Sequence, residues 1–452
     1  MRHLSGRYVA AILWVLFVIG TPIVTPLAAQ APDPHAGHGA PPAPATGTSA
    51  PHQHGDAHVM LGPGDLPMSR MASGTSWIPD ESLMRAVSPK AGEWMVMLMG
   101  QAFGQVLHEN GYFGDTQGGS INWLMGMGQR RVGKGWLQLS AMGSAEPWTI
   151  PGCGYPNMLA TGELCDRKPI HEKQHPHDLV MELAASYTWP VTPALNLQVY
   201  GGPAGEPALG PAAFPHRGSS MPNLMAPIAH HWLDATHITY GVATAGVFTR
   251  QWKVEGSVFN GREPDENRHD LDLARMDSVS GRVWWVPSSR WAIQVSAGHL
   301  RDAEPAHEDL APADKDLVTA SASYSRRLAA TDGVWASTVA WGRAAETGSV
   351  PTQFLLAETS FARNAFDTWF GRAELGTKSP HDVSIHGIVE SQGMGKLQGG
   401  YVRHLRAWHG WQPGAGFTVS AAIANALLGP RYGSRVTWGS GVFVTLRPAV
   451  MR

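Results

Sequence analysis

Residues 317–327 read LVTASASYSRR, and their alternation decides the fold. Thr319, Ser321, Ser323 and Ser325 fall on one face, with Val318, Ala320, Ala322 and Tyr324 on the other. That is the period of two that an extended strand gives its side chains. The pattern recurs in DLVMELAASYTW (178–189), where Asp178, Glu182, Ser186 and Thr188 oppose Leu179, Met181, Leu183, Tyr187 and Trp189. It recurs again in GWLQLSAMGSAE (135–146), which separates Gln138, Ser140 and Ser144 from Leu137, Leu139 and Ala141.

Soluble sandwiches alternate in the same way, so the connections must discriminate. Short turns are expected at 131–135, 190–193, 249–251, 287–290, 329–333, 363–366 and 407–412. Between them lie longer segments at 108–118, 147–177, 203–236, 262–275, 302–315, 378–394 and 425–435; only 347–350 breaks the rule. Alternating short and long connections belong to outer-membrane barrels, which carry an even number of strands. The expected fold is all-β, a transmembrane antiparallel barrel of about sixteen strands from residue 92 to residue 452, behind a disordered N-terminal arm. Trp94, Trp189, Trp291, Trp411 and Trp438 sit near strand ends, where interfacial girdles form. The chain ends VFVTLRPAVMR, which leaves Phe443 as the candidate terminal aromatic.

Composition agrees. Charged residues are 15% of the chain, against about 25% in ordinary soluble proteins. A net charge of −2 argues against a nucleic-acid partner. Residues 1–30 read as an export signal, with Arg2 and Arg7 before the apolar run YVAAILWVLFVIG and small residues at Ala28, Ala29 and Ala31. Residues 31–91 form an arm and lead-in, of which 31–75 is rich in Pro, Ala, Gly and His. Such a composition buries no core, and His35, His38, His52, His54 and His58 make it either a metal-collecting arm or a solvated linker. The two cysteines, Cys153 and Cys165, lie in one Gly/Pro-rich segment of an exported chain, so a local disulfide is expected.

Two histidine clusters fall on the long-loop side. HEKQHPHD (171–178) contributes His171, His175, His177 and Asp178, and PIAHHWLDATH (227–237) contributes His230, His231, Asp234 and His237. Each closes a long loop and leads into a strand that runs toward the short-turn side. A helix opened by Pro227 would set His230, Asp234 and His237 at i, i+4 and i+7 on one face. Such His and carboxylate groups suit a divalent transition metal, Cu, Zn or Ni; the competing reading is hydrogen bonding within ordered loops. The H-E-x-x-H spacing of 171–175 needs a helix to act as a protease, and Pro169 and Pro176 leave barely two turns. Met95, Met97 and Met99 run in phase with Gln101 and Gln105, and Met142 with Gln138 and Ser140, which points these thioethers into the lumen. They are either soft ligands or flexible filler.

MASGTSWIPD (71–80), IPGCGYPNMLATGE (150–163), HEKQHPHDLVMELA (171–184), GPAGEPALGPAAFPHR (202–217), PIAHHWLDATHITYGV (227–242) and GSVFNGREPDENR (256–268) together resemble a family of uncharacterised exported bacterial proteins of outer-membrane β-barrel character. The resemblance implies no activity. The arm is more loosely similar in composition to outer-membrane copper-resistance proteins of the B type. The expectation is therefore a non-enzymatic outer-membrane barrel that handles a transition metal, copper first, in contact with lipid and with metal ions or small solutes. The alternative is a general or substrate-selective porin, and a barrel-mouth hydrolase or metalloprotease ranks third. No G-x-S-x-G nucleophile motif is present. Oligomeric state is left open by the sequence.

Overall fold

The computed structural model describes residues 60–451, apart from 113, 161–170, 173–176, 266, 305–311, 381, 384 and 386. Sixteen strands form one closed ring. They are β1 Trp94–Glu109, β2 Asp115–Val132, β3 Gly135–Gly143, β4 Val180–Pro190, β5 Asn196–Ala204, β6 Val242–Phe248, β7 Trp252–Phe259 and β8 Ser278–Ser288. The second half is β9 Trp291–Glu304, β10 Ala313–Leu328, β11 Gly333–Glu346, β12 Thr352–Ala362, β13 Asp367–Lys378, β14 Gln392–His404, β15 Trp411–Ala424 and β16 Val436–Pro448. Every neighbour pairs antiparallel, and β16 closes on β1 with Gly439 opposite Glu109 and Leu446 opposite Ala102. Closure removes the free edges that an open sheet would expose.

The side-chain alternation resolves as the sequence indicates. Thr319, Ser321 and Ser325 are buried in the lumen while Val318 is exposed. Glu182, Ser186 and Thr188 likewise face in, and Leu183 and Trp189 face out. Met181 departs from this phase: it is buried beside Glu182, next to a register shift between β3 and β4. Exposed Val254, Val283, Val295, Val339, Leu355, Val419 and Val442 make the outer surface an apolar band. Only lipid solvates such a band on a closed barrel, so the barrel spans a membrane, and barrels of this construction belong to the outer membrane. Aromatics gather at the short-turn rim, where Trp252 stacks on Trp285 at 5.5 Å and Trp291 packs at a tilt against Tyr324 at 4.9 Å. Phe443 is not part of this surface. It faces inward, 4% exposed, edge-on to Phe103.

Among the described residues, two long inserted segments occupy the lumen. They are joined there by residues 155–160, where the Leu159 carbonyl accepts from Lys378 and Asn157 Oδ1 from Lys396, each at 2.7 Å. The lead-in was expected to be disordered through residue 91, but from Met60 onward it is folded into the short-turn half of the barrel. Its polar composition conceals the anchors Leu66, Met68 and Trp77, each under 6% exposed. Arg70 pairs with Asp80 at 2.6 Å, donates to the Arg250 carbonyl, and thereby ties the 70–80 hairpin to a short turn. Lys253 donates to the Thr75 carbonyl at 2.6 Å, and Arg282 reaches Thr75 Oγ1 at 3.1 Å and Ser76 Oγ at 3.0 Å. Glu81 then holds Arg290 at 2.9 Å, and the Ser82 and Ser325 hydroxyls are 3.1 Å apart.

The second insert is the long connection 205–241. It folds down into the long-loop half and meets the wall charges there. Arg217 joins Glu358 of β12 at 2.7 Å, and Arg372 of β13 reaches the other Glu358 oxygen at 3.2 Å. Glu374 accepts from the Ala229 amide at 2.9 Å. Gly342 on β11 permits the closest approach, since a Cβ there would overlap the Trp232 carbonyl oxygen. The Cys153–Cys165 pairing expected in the 144–179 connection involves Cys165, which lies outside the described residues.

Candidate functional site

Both histidine clusters converge inside the long-loop mouth. Pro227 does not open the expected ten-residue helix. One α-helical turn, His230–Leu233, is followed by a 3-10 turn, Ala235–His237, with Asp234 at the break (φ −139°, ψ 25°). The i, i+4 relation survives because it spans the first turn, and His230 Nδ1 lies 2.8 Å from Asp234 Oδ1. His237 reaches the same ring cluster by the tighter turn, with its Nδ1 3.0 Å from the Asp234 carbonyl oxygen.

His177 arrives from the other loop. Its Nδ1 lies 3.0 Å from Glu146 Oε2, and its amide donates to that oxygen at 2.7 Å. Glu146 is wholly buried and is itself positioned by the Asn122 amide, which donates to its other oxygen at 2.8 Å. The rings of His177 and His237 are 5.6 Å apart and perpendicular, and those of His230 and His237 are 5.0 Å apart. Phe214 packs against all three at 5.7 to 6.2 Å and walls the cluster on its inner side.

The remaining candidates play other parts. Asp234 does not offer a carboxylate oxygen outward: Oδ1 faces His230 and Oδ2 accepts from Arg217 at 2.6 Å. Burial would raise its carboxyl, but the Arg217 guanidinium and then the His230 contact hold it well below the usual carboxylate range. It orients an imidazole. Asp178 faces Arg268 at 3.4 Å, and burial nonetheless raises its carboxyl. His231 lines the adjacent cavity of about 70 Å³, where Glu263 lies 3.9 Å from its Nδ1, too far for a hydrogen bond. His171 and Glu172 form a two-residue strand against Tyr155–Pro156, so the H-E-x-x-H stretch begins on a strand and not on a helix. His175 lies outside the described residues.

Arg217, Glu146 and Phe214 complete the site and were not anticipated. Glu358 could have been read from the sequence as a charge in phase with the lumenal Ser360 of its strand. Nothing in the sequence marks Arg217 as its partner, because that pairing spans 141 positions.

Among the described residues, the one trio of His, Cys, Asp or Glu side chains whose ligand atoms all lie within 4.8 Å of one another is Asp265, Asp270 and Asp272 on the 260–277 connection. It is largely exposed, as solvated acidic loops commonly are. The nitrogens of His177, His230 and His237 are spread more widely.

No family model matches the chain, and no curated protein matches it. Solved structures do. An anion-selective porin from Comamonas acidovorans aligns at 12% identity and a TM-score of 0.48, over 79% of this chain and 100% of that one. OmpF of Salmonella typhi in complex with daunomycin aligns at 10% and 0.49, over 79% and 100%. The outer membrane channel DcaP of Acinetobacter baumannii aligns at 8% and 0.44, over 80% and 100%. The fold assignment rests on the strand pairing above.

Proposed function

We propose that this protein is a porin-type outer-membrane barrel for small solutes, closed by its own lead-in. One observation carries the reading: the strands themselves present a charged lumenal wall. Glu109, Lys253, Glu255, Arg282, Glu358 and Arg372 all point inward, and the segments that occlude the lumen enter from its two ends. A ring of sixteen strands is wide enough for an aqueous channel once such segments leave. The wall charges are those of a hydrated pore.

Glu206 supplies a test. It sits above the lead-in, accepting from Ser76 Oγ at 2.6 Å and facing Arg282 at 3.6 Å, with Glu182, Tyr200 and Ser73 around it. Burial, only partly opposed by Arg282, raises its carboxyl to about 7. A carboxyl raised in the packed state favours that state fully below its unfolded value, and the contribution is lost as pH rises through about 7. Planar-bilayer recordings of the full chain should therefore show more frequent openings at pH 8 than at pH 6. Glu206→Gln should flatten that dependence. A barrel that never opens at any pH or voltage overturns the reading.

A second reading concerns the mouth, where we infer a divalent transition-metal site at His177, His230 and His237. Each imidazole has its Nδ1 engaged by a carboxylate or carbonyl oxygen, the arrangement that fixes the tautomer of metal-binding histidines and turns Nε2 to the ion. Two rings that share one tetrahedral ion through Nε2, at about 2.0–2.1 Å, stand roughly 5 Å apart centre to centre. The 5.0 Å between His230 and His237 is near that spacing, and the 5.6 Å between His177 and His237 exceeds it. The three imidazoles do not all bring a nitrogen within 4.8 Å of one another, so an ion would have to draw the rings together on binding.

Calorimetric titration with Zn(II), Ni(II) and Cu(II) should find one equivalent fewer in His230→Ala/His237→Ala than in the full chain. Binding should weaken as pH falls through the histidine range, because the ligands must be deprotonated. Equal stoichiometry and affinity in the two proteins would make the cluster a loop clasp.

A further inference from the structure

Twelve of the chain's eighteen methionines belong to one lumenal cluster. They are not spread as general filler, since the largest apolar cluster of the same lumen contains two methionines, Met158 and Met394, and packs mainly on Leu, Ala, Phe, Ile and Val. Strand register assembles the cluster. Met97 stands opposite Met127 and Met99 opposite Met125 across β1 and β2, and Met125 opposite Met142 across β2 and β3. The lead-in adds Met68 and Met71 from below. Between them lies a chamber of about 60 Å³.

A plain apolar core would gain nothing from this choice, because Leu and Ile specify packing better than the flexible Met. Two features indicate instead that the sulfurs are in use. The buried Gln129 amide donates toward Met127 Sδ at 3.4 Å and Met71 Sδ at 3.6 Å, so two thioethers from different segments meet at one point. His216 lines the same chamber, 8% exposed against the Trp123 ring, and its buried Nε2 has no hydrogen-bond partner among the described residues. A buried nitrogen left without a partner is costly and calls for an explanation. Burial, with the neighbouring His177, also lowers this imidazole to about 4, which keeps its lone pair available at neutral pH.

We propose that this chamber binds one soft monovalent d10 cation, Cu(I) or Ag(I), through the thioethers of Met97, Met125, Met127 and Met71 and the imidazole of His216. Thioethers select such ions, and hard or borderline cations prefer oxygen and imidazole. Among the described residues, the one charged side chain on the chamber's lining, Arg85, donates to Gln412 of the wall at 3.4 Å. A cavity of about 20 Å³ lined by Trp123, His177, Phe214 and Met221 lies between the chamber and the mouth imidazoles. The proposal does not depend on the porin reading, because a cation can be held in a barrel that never conducts.

The test is Ag(I) titration of the full chain refolded in detergent, beside Met97→Leu/Met125→Leu/Met127→Leu and His216→Phe. Leu for Met conserves volume, so the barrel should fold and keep its heat-modifiable migration. The full chain should bind one more equivalent than the triple variant, with sulfur scattering in the silver X-ray absorption spectrum. Zn(II) binding should be the same in both. The N-terminal arm and the mouth are present in every protein compared, so their contribution cancels. Equal Ag(I) stoichiometry, or oxygen and nitrogen scattering alone, overturns the proposal. If the triple variant does not fold, peroxide footprinting of the full chain decides: Ag(I) should slow oxidation of Met97, Met125 and Met127, and unchanged oxidation rates overturn the proposal.

Discussion

Deleting residues 60–89 should convert a closed barrel into one that conducts continuously, with a mean conductance at least about tenfold above that of the full chain. The lead-in is not part of the ring, whose sixteen strands close without it through the β16–β1 pairing. Its removal exposes wall charges that water can solvate: Lys253 loses the Thr75 carbonyl but keeps Glu255 at 2.9 Å, and Arg282 loses Thr75 and Ser76 but keeps Glu255 at 2.9 Å. Heat-modifiable migration of the deletion variant should therefore survive. A covalent lock gives the opposite outcome. Ser82→Cys/Ser325→Cys joins two positions whose hydroxyls are 3.1 Å apart, so oxidation should suppress openings and reduction restore them. Solute flux in proteoliposomes reads both. A deletion variant that folds and conducts no more than the full chain would show that the segments at the long-loop end, 205–241 with 155–160, seal the lumen without the lead-in.

What the sequence reveals here depends on how local the determining interaction is. Strand phase is set by the pleat, one residue at a time, so segments such as 317–327 declare their lumenal face without help. Loop lengths then declare which end is which. The lead-in escapes this reading because its anchors, Leu66, Met68 and Trp77, follow no period; they match pockets of the wall, and the wall is built later in the chain. The mouth cluster is intermediate. His230 and Asp234 are a local i, i+4 pair and legible as such, whereas the meeting of His177 with His237 requires that two loops fold over the same side of the ring. The helix expected over 228–237 was too long because Asp234 is engaged by Arg217 and His230 at once, and its backbone breaks the helix there. The methionine stripe shows the converse: its phase is legible, but its convergence with Met68, Met71 and His216 appears only when the lead-in is in place.

Arg217→Met should release the 205–241 insert from the wall without unfolding the barrel. Arg217 is 1% exposed and bridges Glu358 of the wall to Asp234 of the mouth site, at 2.7 and 2.6 Å. Breaking a buried pair by removing one partner costs about 3–5 kcal/mol, because the carboxylates remain buried and uncompensated. The two are not equally exposed to that cost. Glu358 keeps Arg372 at 3.2 Å and Ser219 at 3.0 Å, while the Asp234 carboxylate is left with the His230 contact at 2.8 Å among the described side chains. The strain therefore falls on Asp234 and the turns beside it, so metal affinity at the mouth should drop along with loop protection. Limited proteolysis should cut within 211–237 in the variant and not in the native chain, while the β-type circular dichroism stays unchanged. Because Arg217 holds the Asp234 carboxyl below the usual range, its contribution is present above about pH 4 and is lost only as pH falls further. The native loop should accordingly stay protected at pH 5, where the variant is cut. Neutralising the stranded carboxylate in Arg217→Met/Asp234→Asn should recover part of the protection, since replacing a whole buried ion pair costs far less than halving it, and Glu358 stays in place to compensate Arg372. A single variant as resistant to protease as the native chain would mean that backbone contacts such as Glu374 with the Ala229 amide hold the insert on their own.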